Sequence, residues 1–332
     1  MTTLPAVGTS TASVSRGRTR QRRTALVDRA GSRGLLGLCL LAGLLTVFVL
    51  AEIAYQVIDG ARPAITHFGL HFLANPAWAP NFSNLGAATV LFGTAVSALM
   101  ALVLATPLAI AIAIYLAMLA PRSLRAIVGP LVEMLAAIPS VVLGLWGVIV
   151  LAPFVQRHIE PWLHSTFGFL PILGAPQTTG LSVFTAGLVL TVMVIPIIAA
   201  LSRDLFLTVP RELTEGAEAL GATRWEVIRG VVLPTTVSGV AAATVLGLGR
   251  ALGEAIAVAQ VIGDGSKIRP SLFAPGTTLA SKIAVDFPNT LNKLHAASLF
   301  YLALILLVIG VTTSLIAQAI ASRFDATRLV TR

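Results

Sequence analysis

An all-α polytopic membrane protein is the fold class this sequence predicts, and three observations predict it. Of the 332 residues, 56% are hydrophobic and only 11% charged, with a mean hydropathy of +0.89, far outside the composition of soluble globular domains. The apolar residues gather into six runs, each about the 20 residues or more that a helix needs to cross the hydrocarbon core. The basic residues fall mainly on alternate connections between those runs, the pattern of loops retained on one side of a bilayer.

The six spans are expected at 35–57, 87–117, 126–153, 181–201, 239–262 and 299–321, which makes 34–322 the membrane domain. A basic arm, residues 1–33, carries arginines 16, 18, 20, 22, 23, 29 and 33 ahead of the first span. A cleaved signal peptide would also be basic and then apolar, but the run from Gly34 to Ile58 is longer than a signal core and lacks a clear small-residue cleavage site. The arm therefore reads as a disordered tail before a retained span. Cys39 lies inside that span as the one cysteine of the chain, so no intramolecular disulfide can form. Glu52 is close enough to the outer interface to reach water.

Prolines 107, 130, 139 and 196 interrupt spans two to four, as helices do when they bend around a pathway and as membrane helices do in general. Glu133 falls in the first half of the third span, where a packing role and a functional role stand level. With the N-terminus in the cytoplasm, that side receives the seven arginines of the arm, Arg122, Arg125, Arg203, Arg211, Arg224, Arg229, Arg323, Arg328 and Arg332. The other side receives Arg62, Arg157, Lys267, Arg269, Lys282 and Lys293. Sixteen against six places both termini, the 323–332 tail and segment 203–238 in the cytoplasm. That placement also accounts for a pI near 10.9 without a nucleic-acid partner.

Segment 203–238, RDLFLTVPRELTEGAEALGATRWEVIRGVVLPTTVS, is punctuated as two short helices. Pro210 suits a first helical turn, and Val209, Leu213, Ala217 and Leu220 form an apolar stripe at helical spacing. Gly221 ends that helix. Thr223 and Glu226 then make a capping box for a second helix running toward Leu233 and Pro234. A membrane protein with such a segment on one face offers a handle to something in the water.

In the fifth span, Arg250 and Glu254 are four residues apart in GLGRALGEAIAV, on one face of the predicted helix. An internal ion pair that fixes packing is one reading, with Gly249 and Gly253 letting another helix approach. The other is an oxyanion site in which Arg250 supplies planar donors and Glu254 holds the guanidinium, since an arginine at this depth is costly to keep for packing alone. A carboxylate there could accept a hydrogen bond from monohydrogen phosphate and would repel sulfate. The polar stretch 263–298 reads as an external loop or vestibule.

Other chemistry has little support. No G-x-x-x-x-G-K-[ST] loop occurs, so nucleotide hydrolysis by this chain is not expected, and Gly247, Gly249 and Gly253 are spaced for packing rather than for a dinucleotide. His67 and His71 are four apart but have no third metal ligand nearby in sequence. No nucleophile, base and acid constellation stands out.

The order Glu215-Gly216-Ala217, Gly221, Val231, Leu233-Pro234 resembles the cytoplasmic loop of importer-type ABC permeases, E-A-A, three residues, G, nine residues, I, one residue, L-P, with Gly216 replacing alanine and Val231 replacing isoleucine. Residues 91–121, AAIPSVVLGLWGVIVLAP at 136–153, GRALGEAIAV at 249–258 and TTLASKIAVDF at 277–287 are similar to phosphate-specific permeases, and FLANPAWAP at 72–80 to the PstC type. The resemblance covers about residues 70–320. It implies a type I ABC importer permease of MetI-like architecture in a bacterial inner membrane, an inorganic phosphate importer subunit rather than an enzyme. It also implies a PstA-type second permease, a PstB-type ATPase pair that uses ATP and magnesium, and a PstS-type external phosphate-binding protein. Arg250 and Glu254 then match the family's translocation residues, and Glu215, Gly216, Ala217, Gly221, Val231, Leu233 and Pro234 its coupling residues.

Rival readings change the oxyanion to sulfate, molybdate or phosphonate. Others replace ATP coupling with an ion-coupled relay through Arg250 and Glu254, or reduce the chain to a scaffold that recruits a partner.

Overall fold

Proline and glycine decide where the apolar runs become separate helices. The computed structural model describes the backbone of residues 12–323 and the side chains of residues 35–320 and Ser322. The side chains of the arm's arginines and of Arg323, and all of 1–11 and 324–332, lie outside the described residues. The helices are α1 (Ala12–Phe68), α2 (His71–Ala74), α3 (Ala88–Leu119), α4 (Arg122–Ala136), α5 (Ser140–Phe167), α6 (Val183–Leu207), α7 (Arg211–Ala219), α8 (Arg224–Gly253), α9 (Ile256–Val261), α10 (Leu279–Asp286) and α11 (Lys293–Arg323). A two-residue hairpin, β1 (Trp78–Ala79) with β2 (Asn84–Leu85), precedes α3. Among the described residues, six helices are long and apolar enough to cross a membrane.

The chain divides after Gln56. In the first unit the backbone is helical from Ala12, so the arm expected to be disordered is helix over 12–33, and side chains from Leu35 to Leu50 are exposed. Gln56 donates to Glu52 within this helix at 3.0 Å.

In the second unit, α3 and α6 form the central pair. Ala98, Ala101, Ala105 and Ala109 recur on one face of α3, each almost without exposure. Small residues at this spacing let backbones approach, which is how membrane helices gain packing energy. Ala251 and Leu252 of α8 and Ala257, Val258 and Val261 of α9 complete the same core.

Two expected spans are corrected. The run 126–153 is two helices, because Pro139 disfavours helical geometry at the residue before it and is itself extended, at ψ 134°. The third span is therefore α5, and Glu133 sits on the separate helix α4 with its side chain half exposed. Apolar side chains on the exposed face of α4, Ile127, Leu131 and Met134, made the two helices look like one. The fifth span starts fifteen residues earlier than 239, at Arg224, and stops at Gly253; a shorter α9 follows. Pro107, Pro130 and Pro196 lie inside α3, α4 and α6, whereas Pro139 separates two helices.

At the end of the bundle opposite residues 208–232, the connections are stitched together. A Cβ on Gly93 of α3 would meet the Thr277 carbonyl oxygen at 2.1 Å, so only glycine admits this backbone contact. Beside it, the Leu279 amide donates to Thr94 Oγ1 at 2.8 Å. Asp286 takes the indole N–H of Trp78 at 2.9 Å and lies 3.3 Å from Lys282 Nζ and 3.6 Å from His295 Nε2. On α5, Gln156, Glu160 and His164 stand at successive i, i+4 positions and bond Thr178 O, Gln177 N–H and Leu173 O. The stretch 263–298, expected as an external loop or vestibule, carries α10 and is partly interior, with Thr277, Thr278 and Ser281 buried.

Candidate functional site

Segment 208–232 folds as its punctuation predicts. Pro210 precedes α7, Gly221 takes φ +90°, and the Thr223–Glu226 box is complete. The Thr223 amide donates to Glu226 Oε2 at 2.7 Å, and the Glu226 amide to Thr223 Oγ1 at 3.4 Å. The apolar stripe behaves differently. Val209 and Ala217 pack against the core at this end, but Leu213 is 49% and Leu220 is 91% exposed, and α7 has no fully buried residue.

Among the remaining residues of this segment, Val231 and Leu233 face the core built by Ala113, Ile114, Ala117, Phe206, Val227 and Ile228. Glu215 and Pro234 are exposed, and a Cβ on Gly216 or Gly221 would meet nothing within 4 Å. The segment thus has an inner row that ties it to the bundle and an outer row facing away. Helix α8 passes through one wide turn at Ile228–Val232. Pro234, just after it, has no N–H to give to the carbonyls of the preceding turn, and Thr236 Oγ1 donates back to Val232 O at 2.7 Å.

Along α8, about four turns beyond Pro234, Arg250 meets Glu254 at 3.4 Å. The expectation of one continuous helical face fails here. Gly253 ends α8, and Glu254 is extended at ψ 115° before α9 begins. Its carboxylate is 5% exposed: Oε2 faces Arg250, and Oε1 accepts the Ala257 amide at 3.3 Å, capping the first turn of α9. Glu254 therefore both fixes a guanidinium and stabilises the restart of the chain. Arg250 itself is 48% exposed. Its planar fork of N–H donors suits a bidentate oxyanion.

The glycines divide similarly. Gly247 packs against Val194 and Ile198, whereas Gly249 and Gly253, expected to receive a helix, have nothing within 4 Å of an added Cβ. Gly249 lines a cavity bordered by Leu201 of α6 and Thr313 and Ala317 of α11, and Gly253, beside Arg250, is left open by the rest of the described chain. His67 ends α1 and His71 starts α2 beyond the turn at Gly69, and no group of three metal-ligating side chains occurs among the described residues.

Sequence reasoning missed the break at Glu254 and a pairing of Glu133 with Arg203. The signals were weak: a Gly-Glu step in an otherwise apolar run, and two opposite charges 70 residues apart.

The chain matches the family described as "Binding-protein-dependent transport system inner membrane component" over residues 105–326. It is 40% identical over 288 residues to the "Phosphate transport system permease protein PstC" of Mesorhizobium japonicum, covering 86% of this chain and 88% of that one. The solved bacterial alginate ABC transporter, in complex with an alginate pentasaccharide-bound periplasmic protein, contains a chain of the same fold, with a TM-score of 0.55, 16% identity, and coverage of 85% of this chain and 95% of that one. A chain of the MetNI methionine ABC transporter in an inward-facing conformation gives a TM-score of 0.50 at 18% identity, covering 71% and 96%. The all-α fold is thus that of ABC importer permeases, and this chain belongs to the family of binding-protein-dependent transport system inner membrane components, in the group of phosphate transport permeases PstC.

Proposed function

We propose that this chain is a permease subunit of an ATP-driven inorganic phosphate importer and that Arg250 is the side chain its oxyanion meets in the membrane. The observation that carries this is an arginine in the fifth span, half exposed beside the open Gly253 and anchored by a buried carboxylate. Such a charge is costly in a membrane unless it faces protein, water or a ligand. The burial of Glu254 supports an anchoring role for it, in place of a direct acceptor from a protonated oxyanion.

Segment 203–238 is the contact for an ATPase pair of the PstB type, which binds and hydrolyses ATP with magnesium. Its exposed outer row of Glu215, Gly216, Leu220 and Gly221 fits that use. A PstA-type permease completes the pathway beside Gly253 of α8, and a PstS-type protein delivers phosphate from outside. Both termini and the segment face the cytoplasm, on the charge asymmetry of the loops. Purified with these partners in liposomes, the complex is expected to hydrolyse ATP faster with phosphate-loaded binding protein. Stimulation by sulfate, molybdate or phosphonate in place of phosphate would overturn the substrate assignment, and uptake by this chain without any ATPase would overturn the coupling.

A further inference from the structure

Arg203 lies near the end of α6, four residues before the helix gives way to the 208–232 segment, with its side chain 19% exposed. Its Nη2 is 2.8 Å from Glu133 Oε1 on α4, and Nη2 and Nε both donate to Asp204 Oδ1, at 2.8 and 3.1 Å. The guanidinium lies against Gly129, one turn before Glu133, where an added Cβ would come within 3.3 Å of Nη1. A glycine and a carboxylate at i and i+4 thus form a fitted seat for one cation, and a purely surface ion pair would need no seat.

What lies on each side gives this contact a consequence. Only Thr208, Val209 and Pro210 join α6 to α7, so Arg203 sits close to the docking segment along the chain. Helix α4 is clamped to α6 by that seat, and then the chain bends at Pro139. Beyond the bend, α5 is pressed against α9: a Cβ on Gly144 would meet Ala257 Cα at 2.8 Å, and one on Gly147 would meet Val261 Cγ1 at 2.8 Å. Helix α9 is the one that Glu254 caps. Two rigid attachments therefore flank one proline joint, one made to the docking end and the other to the site of Arg250.

We propose that Arg203 is a positioning residue that latches α4 to α6 through Glu133, so that displacement of the docking segment reaches the Arg250 and Glu254 site across the Pro139 joint. This rests on the transport reading above. Coupling of this kind is a free energy between two places and needs a direct interaction test.

The test is a charge exchange in the full complex with its ATPase, second permease and binding protein, reading phosphate transported per ATP hydrolysed at equal abundance of assembled complex. Glu133→Arg and Arg203→Glu alone are each expected to lower this ratio by about tenfold, and the double exchange to recover to within about threefold of the unchanged protein. A latch with only a packing role would change abundance and leave the ratio alone. Ratios within about twofold of the unchanged protein for both single variants, or a double variant no better than the worse single, would overturn the proposal. If Arg203→Glu does not accumulate, Glu133→Gln on the half-exposed partner carries the test: a lowered ratio supports the latch and an unchanged one overturns it. Lack of phosphate uptake by the unchanged complex would count against the substrate assignment alone, and the ratio is then read with the oxyanion the complex does carry.

Discussion

The two ends of the bundle are built on opposite terms. At the end formed by 69–87, 168–182 and 263–292, the loops bond one another through backbone contacts and polar side chains, while Leu70, Phe82 and Phe169 stay outside that network, 79%, 84% and 79% exposed. Gly93 admits the Thr277 backbone, Asp286 collects Trp78, Lys282 and His295, and three polar side chains of α5 hold the 173–178 backbone. At the 208–232 end, α7 buries none of its residues fully and Leu220 is 91% exposed. The turn between α7 and α8 is nevertheless capped by the Thr223–Glu226 box and the left-handed Gly221, although Pro210 at the start of α7 offers no side-chain cap. The difference teaches that local order and tertiary burial are separate quantities. A segment can be held rigid by its caps while its apolar surface is left for another chain.

If that contrast is right, the largest effect comes from the stitched end. Gly93→Ala drives a methyl group into the Thr277 carbonyl, and backbone cannot yield as a flexible side chain can. A loss of about 3 kcal/mol or more is expected, seen as failure to accumulate in membranes. Next is Asp286→Ala, which strands the Trp78 indole N–H and leaves Lys282, 13% exposed, with only the longer contact to Asp264 at 3.6 Å. A cost of about 2 kcal/mol is expected in thermal unfolding of the detergent-purified complex. At the other end, Thr223→Ala removes one half of a cap and costs about 1 kcal/mol, with a lowered ATPase affinity because the turn at Gly221 loosens. The smallest stability effect belongs to Leu220→Ser, within about 0.5 kcal/mol for this subunit. Its binding to the ATPase should nonetheless fall by roughly threefold or more, which a pull-down titration measures. Equal stability losses for Leu220→Ser and Asp286→Ala would erase the distinction between the two ends.

Much of this was legible in the sequence because the signals were local. The apolar runs, the Pro210, Gly221 and Thr223–Glu226 punctuation and the spacing of Arg250 from Glu254 each depend on a few neighbouring residues. What could not be read depended on tertiary choices. Hydropathy merged α4 with α5 because α4 exposes Ile127, Leu131 and Met134, and a window average does not distinguish an apolar side turned outward from a spanning helix. The end of α8 at Gly253 was hidden because glycine is tolerated inside membrane helices, so it marks a break only where a capping group such as Glu254 is placed to restart the chain. The seat of Arg203 joins residues far apart in sequence and has no local signature. The exposure of Leu213 and Leu220 was equally unreadable, because an amphipathic stripe shows that a face is apolar without showing which molecule covers it.

Between the two ends lies Arg250, on which the transport reading depends. Its most direct test is phosphate uptake and phosphate-stimulated ATP hydrolysis by the liposome-reconstituted complex carrying Arg250→Gln, at an abundance matched to the unchanged protein. Loss of one well-placed donor to a transferring anion is expected to cut uptake by roughly a hundredfold, with assembly and basal ATP hydrolysis retained. Normal phosphate uptake by that variant would contradict the account.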